Sequence, residues 1–443
     1  MNILILGHGL EGQSVENYFK HDPSRAEHVK LSVLDNFKKE ELLFKDFSSY
    51  DLIFRTPSVP PKFINAPKSK ITSVTKFFFS NCPCPIIGVT GTKGKGTTCT
   101  LIRDLLASLG IKTHLVGNIG TPALDVLPEI TPKDVVVYEL SSFQLWDLEK
   151  SPSIAVILRL EPDHLDVHES VEEYYAAKAN LCAHQSPTDF CVYFKDNQNT
   201  KNAVKSSPAK LLPYPCKTAA ISELLSALNI PGNHNKENAE AALLACFAYY
   251  QKFQNYTKTF TNFLQDFQEP FQTALSHFQP LPHHIEFVRE LNGVSYYDDS
   301  FSTVFPSLEA ALNSFPDQPL VLIAGGKDKG FDLSPAKRAI FDKPNLVKAV
   351  LIGQTAAALA QNEDPEKYIL CSTDFEQAIR TAQSLAEAHR QREEENSDTC
   401  LIDAKPQIKK PVVLLSPCAS SFDMFESYKQ RGDIFKSIVN SLN

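Results

Sequence analysis

The sequence predicts an α/β protein that is built from mostly parallel sheets. Short apolar, β-branched segments alternate with helical patterns along the whole chain, and no internal repeat of fixed period is visible. Several of these segments run directly into glycine-rich turns. A length of 443 residues suits about three domains of ~150 residues each. Proline-rich segments at 81–85 and 278–284 predict domain boundaries that give residues 1–84, 85–279 and 280–443.

The composition argues against several functional classes. The net charge of −8 argues against broad binding to nucleic acids or to anionic membranes. No apolar stretch approaches the ~18 residues needed to cross a bilayer, and the start MNILILGHGL lacks the basic region of a secretion signal. The ten cysteines show no disulfide-framework spacing, and Cys82 and Cys84 are too close for a zinc CxxC motif. We therefore expect a cytoplasmic protein with reduced thiols, and we expect a monomer.

The chain begins with a Rossmann-like pattern. A predicted strand at Asn2–Leu6 leads into the glycine turn GHGLEG, and a second predicted strand at Lys30–Leu34 ends at Asp35. An acid at about this distance from a glycine turn is typical of dinucleotide-binding folds. The same turn would also suit a pyrophosphate-bearing substrate that is not a dinucleotide.

The segment PIIGVTGTKGKGTTCTL at 85–101 predicts a loop that binds nucleotide phosphates. An apolar strand pattern stops at a glycine-rich turn, and a helical pattern follows. Glycines let backbone N–H groups approach the phosphates, Lys95 would neutralise their charge, and a threonine hydroxyl would bind Mg²⁺. Val89 stands where the general motif has its first glycine and Gly96 follows the lysine, so Thr97 must supply that hydroxyl. The alternative is a glycine-rich turn without a ligand.

Two segments after this loop carry acids and a histidine. VVVYELSSFQL places Glu139 after a buried strand pattern, and VILRLEPDHLDVH places Asp163, His164 and Asp166 after the next one. Because the carboxyl ends of parallel strands lie at one edge of a sheet, we expect Glu139 and His164 to meet near the phosphates as Mg²⁺ ligands. The alternatives are that Glu139 caps the next helix and that His164 has a structural role.

Further segments carry polar residues with more than one interpretation. Lys178 lies on a predicted helix and is, by itself, an ordinary solvated lysine. Asn235 and Asn238 lie three residues apart at a helix start, where they either read a nucleobase edge or cap the helix; the spacing favours capping. The turn AGGKDKGFD at 324–332 and the later segment with Ser421 suit the capture of a small anionic substrate.

Taken together, these segments resemble the Mur ligase family, and within it the MurD type. The resemblance covers nearly the whole chain, and its segments come in the family's order. The matching segments are GVTGTKGKGTT, GNIGTPAL, ELSSFQL, EPDHLDVH, PGNHNKEN, LPHHIEF, YYDDSFSTV, GGKDKGFDLS and LLSPCASSFDMFESYKQRG. The last of these separates the MurD type from its sister ligases and from folylpolyglutamate synthetases.

The resemblance implies an architecture and a reaction. It implies a Rossmann-like N-terminal domain for a UDP-linked substrate, a central P-loop-type ATPase domain, and a C-terminal Rossmann-like domain for an amino acid. The implied enzyme is an ATP-dependent ligase that uses two Mg²⁺ ions. It would add glutamate, expected as the D isomer, to UDP-N-acetylmuramoyl-L-alanine through an acyl phosphate, in cytoplasmic peptidoglycan precursor synthesis.

The resemblance also implies roles for single residues, with Lys178 bridging the second metal as a carbamate. The implied catalytic residues are Lys95, Glu139, His164 and Lys178, and Thr97 joins Glu139, His164 and Lys178 as a metal ligand. The implied ATP-binding residues are Thr92, Lys93, Gly94, Lys95, Gly96, Thr97, Thr98, Asn235, Asn238, His284 and Asp299. The implied substrate-binding residues are Gly9, Leu10, Glu11, Gly12, Asp35, Asn36, Asn118, Thr303, Lys329, Ser421, Phe422 and Tyr428.

Three departures from the family pattern bear on function. His284 stands where the family usually has arginine, and Phe301 stands where many members have lysine. The segment TPSVPP at 56–61 lacks the usual glycine of the uracil-side loop. Alternatives to a D-glutamate ligase are therefore a ligase that adds L-glutamate or another amino acid, or that acts on folate, and a nucleotide-binding protein that has lost catalysis.

Overall fold

A computed structural model describes residues 1–164, 167–398 and 409–443, and it confirms the α/β class. The described strands form three sheets of four, six and six strands, and all neighbouring strands except one pair are parallel. The chain divides into two compact units, residues 1–229 with 235–278 and residues 230–234 with 279–443. The division into three domains at the two expected boundaries stays a prediction.

The first sheet is the Rossmann-like pattern of the N-terminus. Its strands are β1 (Asn2–Leu6), β2 (Lys30–Leu34), β3 (Leu52–Arg55) and β4 (Ile71–Ser73), in the order β2-β1-β3-β4. Its helices are α1 (Leu10–Lys20), α2 (Pro23–Ala26) and α3 (Val74–Asn81). The two strands predicted here are confirmed with the same bounds, because each is a short apolar run ended by a turn or a charged residue.

The second sheet carries the phosphate-loop segment on a strand that is buried throughout. Its strands are β5 (Ile86–Thr90), β6 (Thr113–Gly117), β7 (Val135–Glu139), β8 (Ile154–Ile157), β9 (Phe190–Phe194) and β10 (Lys210–Tyr214). Its helices are α4 (Lys95–Ser108), α5 (Ala123–Val126), α6 (Ser142–Leu145), α7 (Val171–Ala183), α8 (Gln198–Val204), α9 (Ala219–Ser226), α10 (Asn233–Phe253), α11 (Phe260–Asp266) and α12 (Gln268–Ser276). In the order β10-β9-β8-β5-β7-β6, the strand sequence reverses at β5. Ligands bind at such reversal points, beyond the carboxyl ends of the strands.

The third sheet forms the core of the C-terminal unit. Its strands are β11 (Glu286–Leu291), β12 (Val294–Asp298), β13 (Leu320–Gly325), β14 (Leu346–Ile352), β15 (Tyr368–Leu370) and β16 (Val412–Leu415). Its helices are α13 (Phe305–Asn313), α14 (Ser334–Phe341), α15 (Ala356–Ala360), α16 (Phe375–Asp398) and α17 (Tyr428–Ser441). Alternate residues of β13 enter two apolar clusters, Leu322 the one with α13 and α14, and Ile323 the one with α16 and α17. Helices therefore cover both faces. Among the described residues, no helix is long and apolar enough to span a membrane.

A buried ion pair joins the first two sheets within their unit. Arg55, the last residue of β3, is fully buried and donates from Nε to both carboxylate oxygens of Asp147 at 3.2 Å. Its Nη1 donates to the carbonyl oxygen of Phe143 at 3.2 Å. An apolar cluster that includes Ile5 of β1 and Val136 of β7 continues across the same boundary. Removing one partner of a buried pair leaves the other charge uncompensated, which is strongly destabilising.

We predict that Asp147→Ala lowers the free energy of unfolding of this unit by about 3 kcal/mol, because the buried guanidinium of Arg55 loses its counter-ion. The matched control is Glu149→Ala, which removes a 70% exposed partner of Lys76 and is expected to cost less than about 1 kcal/mol. Urea denaturation of both variants measures the difference. Equal shifts of the two midpoints would contradict the argument.

Candidate active site

The phosphate-loop segment folds as predicted, with a strand, a glycine turn and a helix. β5 ends at Thr90 and α4 begins at Lys95. Gly94, the N-cap of α4, has φ +83°, and a Cβ atom there would lie 2.4 Å from Oδ1 of Asn238. Both the backbone conformation and the close approach of α10 therefore require glycine at this position. The N-terminus of a helix at a glycine turn is a ready site for an anion.

Two lysine side chains converge on one backbone carbonyl of this loop. Lys95 donates from Nζ to the carbonyl oxygens of Gly91 at 3.1 Å and Thr92 at 3.0 Å. Lys178 donates from Nζ to the same Gly91 oxygen at 2.9 Å and lies 3.4 Å from Oγ1 of Thr90. The structure therefore brings two of the predicted catalytic residues together at the carboxyl end of β5.

Lys178 is buried, so the interpretation of an ordinary solvated lysine is wrong. Its side chain on α7 is 2% exposed. Burial lowers the pKa of Lys178 well below its usual value, and repulsion from Lys95 lowers it further. The negative charges of Asp163 and Glu139 oppose this decrease only in part. A lysine in such surroundings gives up its proton and becomes a nucleophilic amine.

Glu139 supplies a buried carboxylate next to these lysines. It is the last residue of β7 and is 4% exposed. Burial raises the pKa of Glu139, and the positive charges of Lys95 and Lys178 oppose that increase. Its Oε2 is buried and has no hydrogen-bond partner among the described residues. The following helix α6 is capped by Ser141, which rules out the alternative in which Glu139 is the cap.

His164 lies in the loop after β8 and has φ +55°. Its Nε2 lies 3.8 Å from Oδ2 of Asp163, and its ring centroid lies 5.0 Å from that of Phe143. Leu165 and Asp166 lie outside the described residues, so nothing is assigned to Asp166 here. The loop thus carries an imidazole and a carboxylate, and the Asp163 charge acts on Lys178.

His168 ends the segment EPDHLDVH and was not among the predicted site residues. The His168 ring stacks on Phe143 with centroids 5.4 Å apart and planes at 13°. Its Nε2 lies 2.9 Å from Oγ of Ser142, which follows the Glu139 segment. Burial lowers the pKa of His168. A buried neutral histidine therefore packs the His164 loop against α6; no spacing signal distinguishes it from His164.

The threonines of the loop have different surroundings. Thr92 accepts from the backbone N–H of Glu161 and donates to its carbonyl oxygen, each at 2.9 Å, which ties the loop to the segment after β8. Thr98 is fully buried, and within residues 1–164, 167–398 and 409–443 its Oγ1 has no hydrogen-bond partner. Thr97 is only partly buried. Its hydroxyl therefore remains the candidate metal ligand among these side chains, while Lys93 and Gly96 stay predictions as phosphate contacts.

The predicted helix caps at Asn235 and Asn238 are wrong. Helix α10 begins at Asn233, so both residues are inside its first turns rather than at its cap. Both are buried, and the Asn238 amide packs against Gly94 of the loop. Asn118 also lies close to the site, because its backbone N–H donates to the carbonyl oxygen of Glu139 at 3.3 Å.

The glycine turn of the first sheet forms a second candidate binding region. Gly12 must be glycine, because a Cβ atom there would lie 2.2 Å from the carbonyl oxygen of Gly7. The backbone N–H of His8 donates to Oδ1 of Asp35 at 3.2 Å. Gly9, the N-cap of α1, and Leu10, the first residue of the helix, complete the turn, and Asn36 follows in the left-handed conformation.

Glu11 of this turn also contacts the second sheet. Nε2 of Gln144 donates to Oε1 of Glu11 at 2.6 Å, and Oε1 of Gln144 accepts from the backbone N–H of Ser141 at 2.8 Å. Burial raises the pKa of Glu11 to about 7. One amide side chain therefore connects the first glycine turn with the segment that begins at Glu139.

In the C-terminal unit, the two residues that depart from the family pattern pack on each other. The rings of His284 and Phe301 stack with centroids 4.0 Å apart and planes at 26°. The Phe301 ring also meets Tyr428 at 5.2 Å, edge to face. Burial lowers the pKa of His284, and its Nδ1 lies 2.9 Å from the carbonyl oxygen of Pro282. A neutral aromatic stack therefore occupies the two positions.

Two other candidates of this unit, Asp299 and Lys329, have different surroundings. Asp299 is buried and accepts hydrogen bonds from Oγ of Ser416 at 2.8 Å and from the backbone of Ile285 at 3.2 Å, so its contacts lie inside the unit. Lys329 lies at a small cleft and donates to the carbonyl oxygen of Thr303 at 3.3 Å.

Two further candidates and one unpredicted residue follow β16. Ser421 is buried, whereas Phe422 is 65% exposed. Arg431 was not predicted, and it is fully buried: its Nη2 donates to the carbonyl oxygens of Ser300 at 2.9 Å and Ala419 at 3.2 Å. Arg431 therefore holds the segment after β12 to the segment after β16.

We predict that Gly94→Ala weakens binding of a nucleoside triphosphate roughly tenfold or more, about 1.4 kcal/mol, because the new Cβ atom would displace the loop from Asn238. The matched control is Gly110→Ala. Gly110 also has positive φ, +76°, but open space where its Cβ atom would lie. Calorimetric titration with ATP compares the variants, and equal weakening by both would show that backbone strain alone decides.

Comparisons with known proteins identify the family of the chain. Residues 89–246 match the model of the Mur ligase middle domain. A protein of Acetivibrio thermocellus named UDP-N-acetylmuramoylalanine–D-glutamate ligase is 33% identical, over 94% of this chain and 90% of that protein. A protein of the same name from Clostridium kluyveri is 34% identical, over 97% of this chain and 92% of that protein.

Solved structures support the fold. The MurF ligase of Thermotoga maritima in complex with ADP matches with a TM-score of 0.55 and 14% identity, over 99% of this chain and 95% of that chain. The UDP-N-acetylmuramate–alanine ligase MurC of Thermotoga maritima matches with a TM-score of 0.55 and 15% identity, over 100% and 99% of the two chains. The sequence resemblance is thus confirmed: the chain belongs to the Mur ligase family, and within it to the MurD type.

Proposed function

We propose that the protein is an ATP-dependent ligase that joins D-glutamate to UDP-N-acetylmuramoyl-L-alanine in cytoplasmic peptidoglycan precursor synthesis, acting as a monomer. The observation that carries this proposal is the near full-length similarity, at 33–34% identity, to relatives that are named for this reaction. The cluster of Lys95, Glu139 and Lys178 at the carboxyl end of β5 supports it with suitable chemistry.

The proposed reaction has two steps. The carboxylate of the substrate's alanine attacks the γ-phosphorus of ATP, which gives an acyl phosphate and ADP. The glutamate amine then attacks the acyl carbon, and inorganic phosphate leaves as the amide bond forms. Lys95, which here donates only to backbone carbonyls, would turn toward the transferring phosphoryl group and offset its negative charge.

The site is suited to divalent metal ions, expected as two Mg²⁺. Oε2 of Glu139 is a buried carboxylate oxygen that no residue in the described part of the chain hydrogen-bonds, and a hard cation binds oxygens of this type. The residues that would hold the metal are Thr97, Glu139, His164 and carbamylated Lys178. When bound, Mg²⁺ would neutralise phosphoryl charge in both steps.

Lys178 is suited to carbamylation. Its lowered pKa favours the neutral amine, and only that form attacks carbon dioxide. The amine nitrogen bonds to the carbon and releases a proton, which leaves an anionic carbamate. The change turns a neutral amine beside Lys95 into an anion, which the Lys95 ammonium group attracts, and it adds an oxygen ligand for a metal.

The substrate contacts follow from the family resemblance. The UDP-linked substrate would be bound by Gly9, Leu10, Glu11, Gly12, Asp35, Asn36 and Asn118. Glutamate would be bound by Thr303, Lys329, Ser421, Phe422 and Tyr428. The resemblance assigns ATP binding to Thr92, Lys93, Gly94, Lys95, Gly96, Thr97 and Thr98, assigns the adenine side to Asn235 and Asn238, and also names His284 and Asp299. Lys329 donates to the carbonyl oxygen of Thr303, so two of the proposed glutamate-binding residues are neighbours, which supports this assignment.

A second candidate, L-glutamate as the acceptor, is favoured by one observation. The stack of His284 on Phe301 places neutral rings where the family pattern has two cations. Carboxylate recognition on this side of the unit therefore rests on fewer fixed positive charges, which is a reason to test both isomers.

We predict that the purified protein releases phosphate from ATP when Mg²⁺, UDP-N-acetylmuramoyl-L-alanine and D-glutamate are all present. Parallel reactions contain L-glutamate, or omit the muramoyl substrate. Release with L-glutamate alone would favour the second candidate. Absence of release with either isomer would argue against both and for a protein that binds nucleotides without this reaction.

We predict that Lys178→Arg lowers kcat by roughly a hundredfold or more, because arginine keeps the cation but forms no carbamate. The matched control is Lys210→Arg on the exposed edge strand β10, which is expected to keep the activity. A ¹³C NMR carbamate signal after incubation with ¹³C-bicarbonate should appear in the wild type and the control but not in Lys178→Arg. An unchanged signal in Lys178→Arg would exclude Lys178 as its source.

A further inference from the structure

Two thiols lie side by side in the connection between α3 and β5. Cys82 is the C-cap of α3, and Cys84 precedes β5 by one proline. Their Sγ atoms are 3.7 Å apart. A disulfide needs the sulfur atoms at about 2.05 Å, so the two side chains must move closer together for the bond to form. Pro83 between them has no backbone N–H, and closing the pair therefore costs no hydrogen bond at that residue.

The two thiols differ in reactivity. Cys82 is partly exposed, whereas Cys84 is 8% exposed. The hydrogen bond with Cys84 lowers the pKa of the Cys82 thiol, and the ammonium group of Lys150 lowers it further. Lys150 is held nearby by a hydrogen bond of 2.8 Å to the carbonyl oxygen of Phe79 on α3. An accessible thiol beside a cation, with a second thiol in contact, is the arrangement of peroxide-sensitive cysteines.

A second thiol pair in the same unit provides an internal comparison. Cys182 on α7 and Cys191 on β9 interact with each other, and both are fully buried. Burial and the contact with Cys182 raise the pKa of Cys191 well above its usual value. In both pairs the two thiols are therefore close together. Cys82 differs from the buried pair because solvent reaches it and because a lysine lies nearby.

We propose that Cys82 and Cys84 form a reversible disulfide in response to hydroperoxides, at a site separate from the proposed ligase chemistry. The Cys82 thiolate attacks one peroxide oxygen, which gives a sulfenic acid and releases hydroxide, or an alkoxide from an organic peroxide. The Cys84 sulfur then attacks the Cys82 sulfur, and water leaves as the S–S bond forms. The two thiols lose two electrons and the peroxide gains them. A dithiol reductant then reduces the disulfide, restores both thiols and is itself oxidised to a disulfide.

The test is oxidation of the reduced full-length protein with increasing hydrogen peroxide. Free thiols are alkylated with one reagent, the sample is reduced, and newly released thiols are alkylated with a second, isotopically distinct reagent before mass spectrometry. We expect Cys82 and Cys84 to take up the second label together, roughly tenfold faster than Cys182 and Cys191. Equal rates for the two pairs, or second label on one cysteine of the 82–84 pair without the other, would overturn the proposal.

Two variants resolve the steps. In Cys84→Ser, the sulfenic acid on Cys82 has no resolving thiol and should be trapped by dimedone; in Cys82→Ser, oxidation of Cys84 should slow roughly tenfold. Lys150→Gln should slow the oxidation of Cys82, whereas Lys76→Gln, which removes an ammonium group that pairs with Glu149, should not. Failure to trap Cys82 in Cys84→Ser, or equal effects of the two lysine variants, would contradict the mechanism.

Discussion

Two ammonium groups on one backbone carbonyl set the electrostatics of the whole site. Lys95 and Lys178 both donate to the carbonyl oxygen of Gly91. Like charges in a buried position are costly unless a counter-charge is present or a proton leaves. Glu139 supplies part of the counter-charge. The lowered pKa of Lys178 favours loss of its proton, which removes one of the two positive charges. The loop therefore combines a strong attraction for phosphate anions with a lysine that readily becomes neutral.

The parallel sheet explains why these residues meet although they are far apart in sequence. β5 lies between β7 and β8, so the segments that follow all three strands emerge at the same edge. Gly94 lets α10 approach the loop, and Arg55 holds the first sheet to the segment after Glu139. Packing contacts outside the chemistry thus fix the distances on which the chemistry depends.

Local signals in the sequence were enough for the class of fold and for the phosphate loop. The strands β1 and β2 and the helix after the loop follow from short apolar runs and glycine turns, which act over a few residues. The burial of Lys178 could not be predicted, because it depends on how α7 packs against β5. The pair of Arg55 and Asp147 spans 92 positions, and no local pattern specifies such a partner. The prediction that Asn235 and Asn238 cap a helix was wrong, because α10 already begins at Asn233.

The stack of His284 on Phe301 also means that substitutions at these two positions have different consequences. An arginine at position 284 would lie over the Phe301 ring, and a guanidinium over an aromatic face is favourable. A lysine at position 301 would instead leave the His284 ring without its stacking partner. Charge can thus be gained or lost at position 284 while the ring of Phe301 stays in place, whereas a change at position 301 removes the stack.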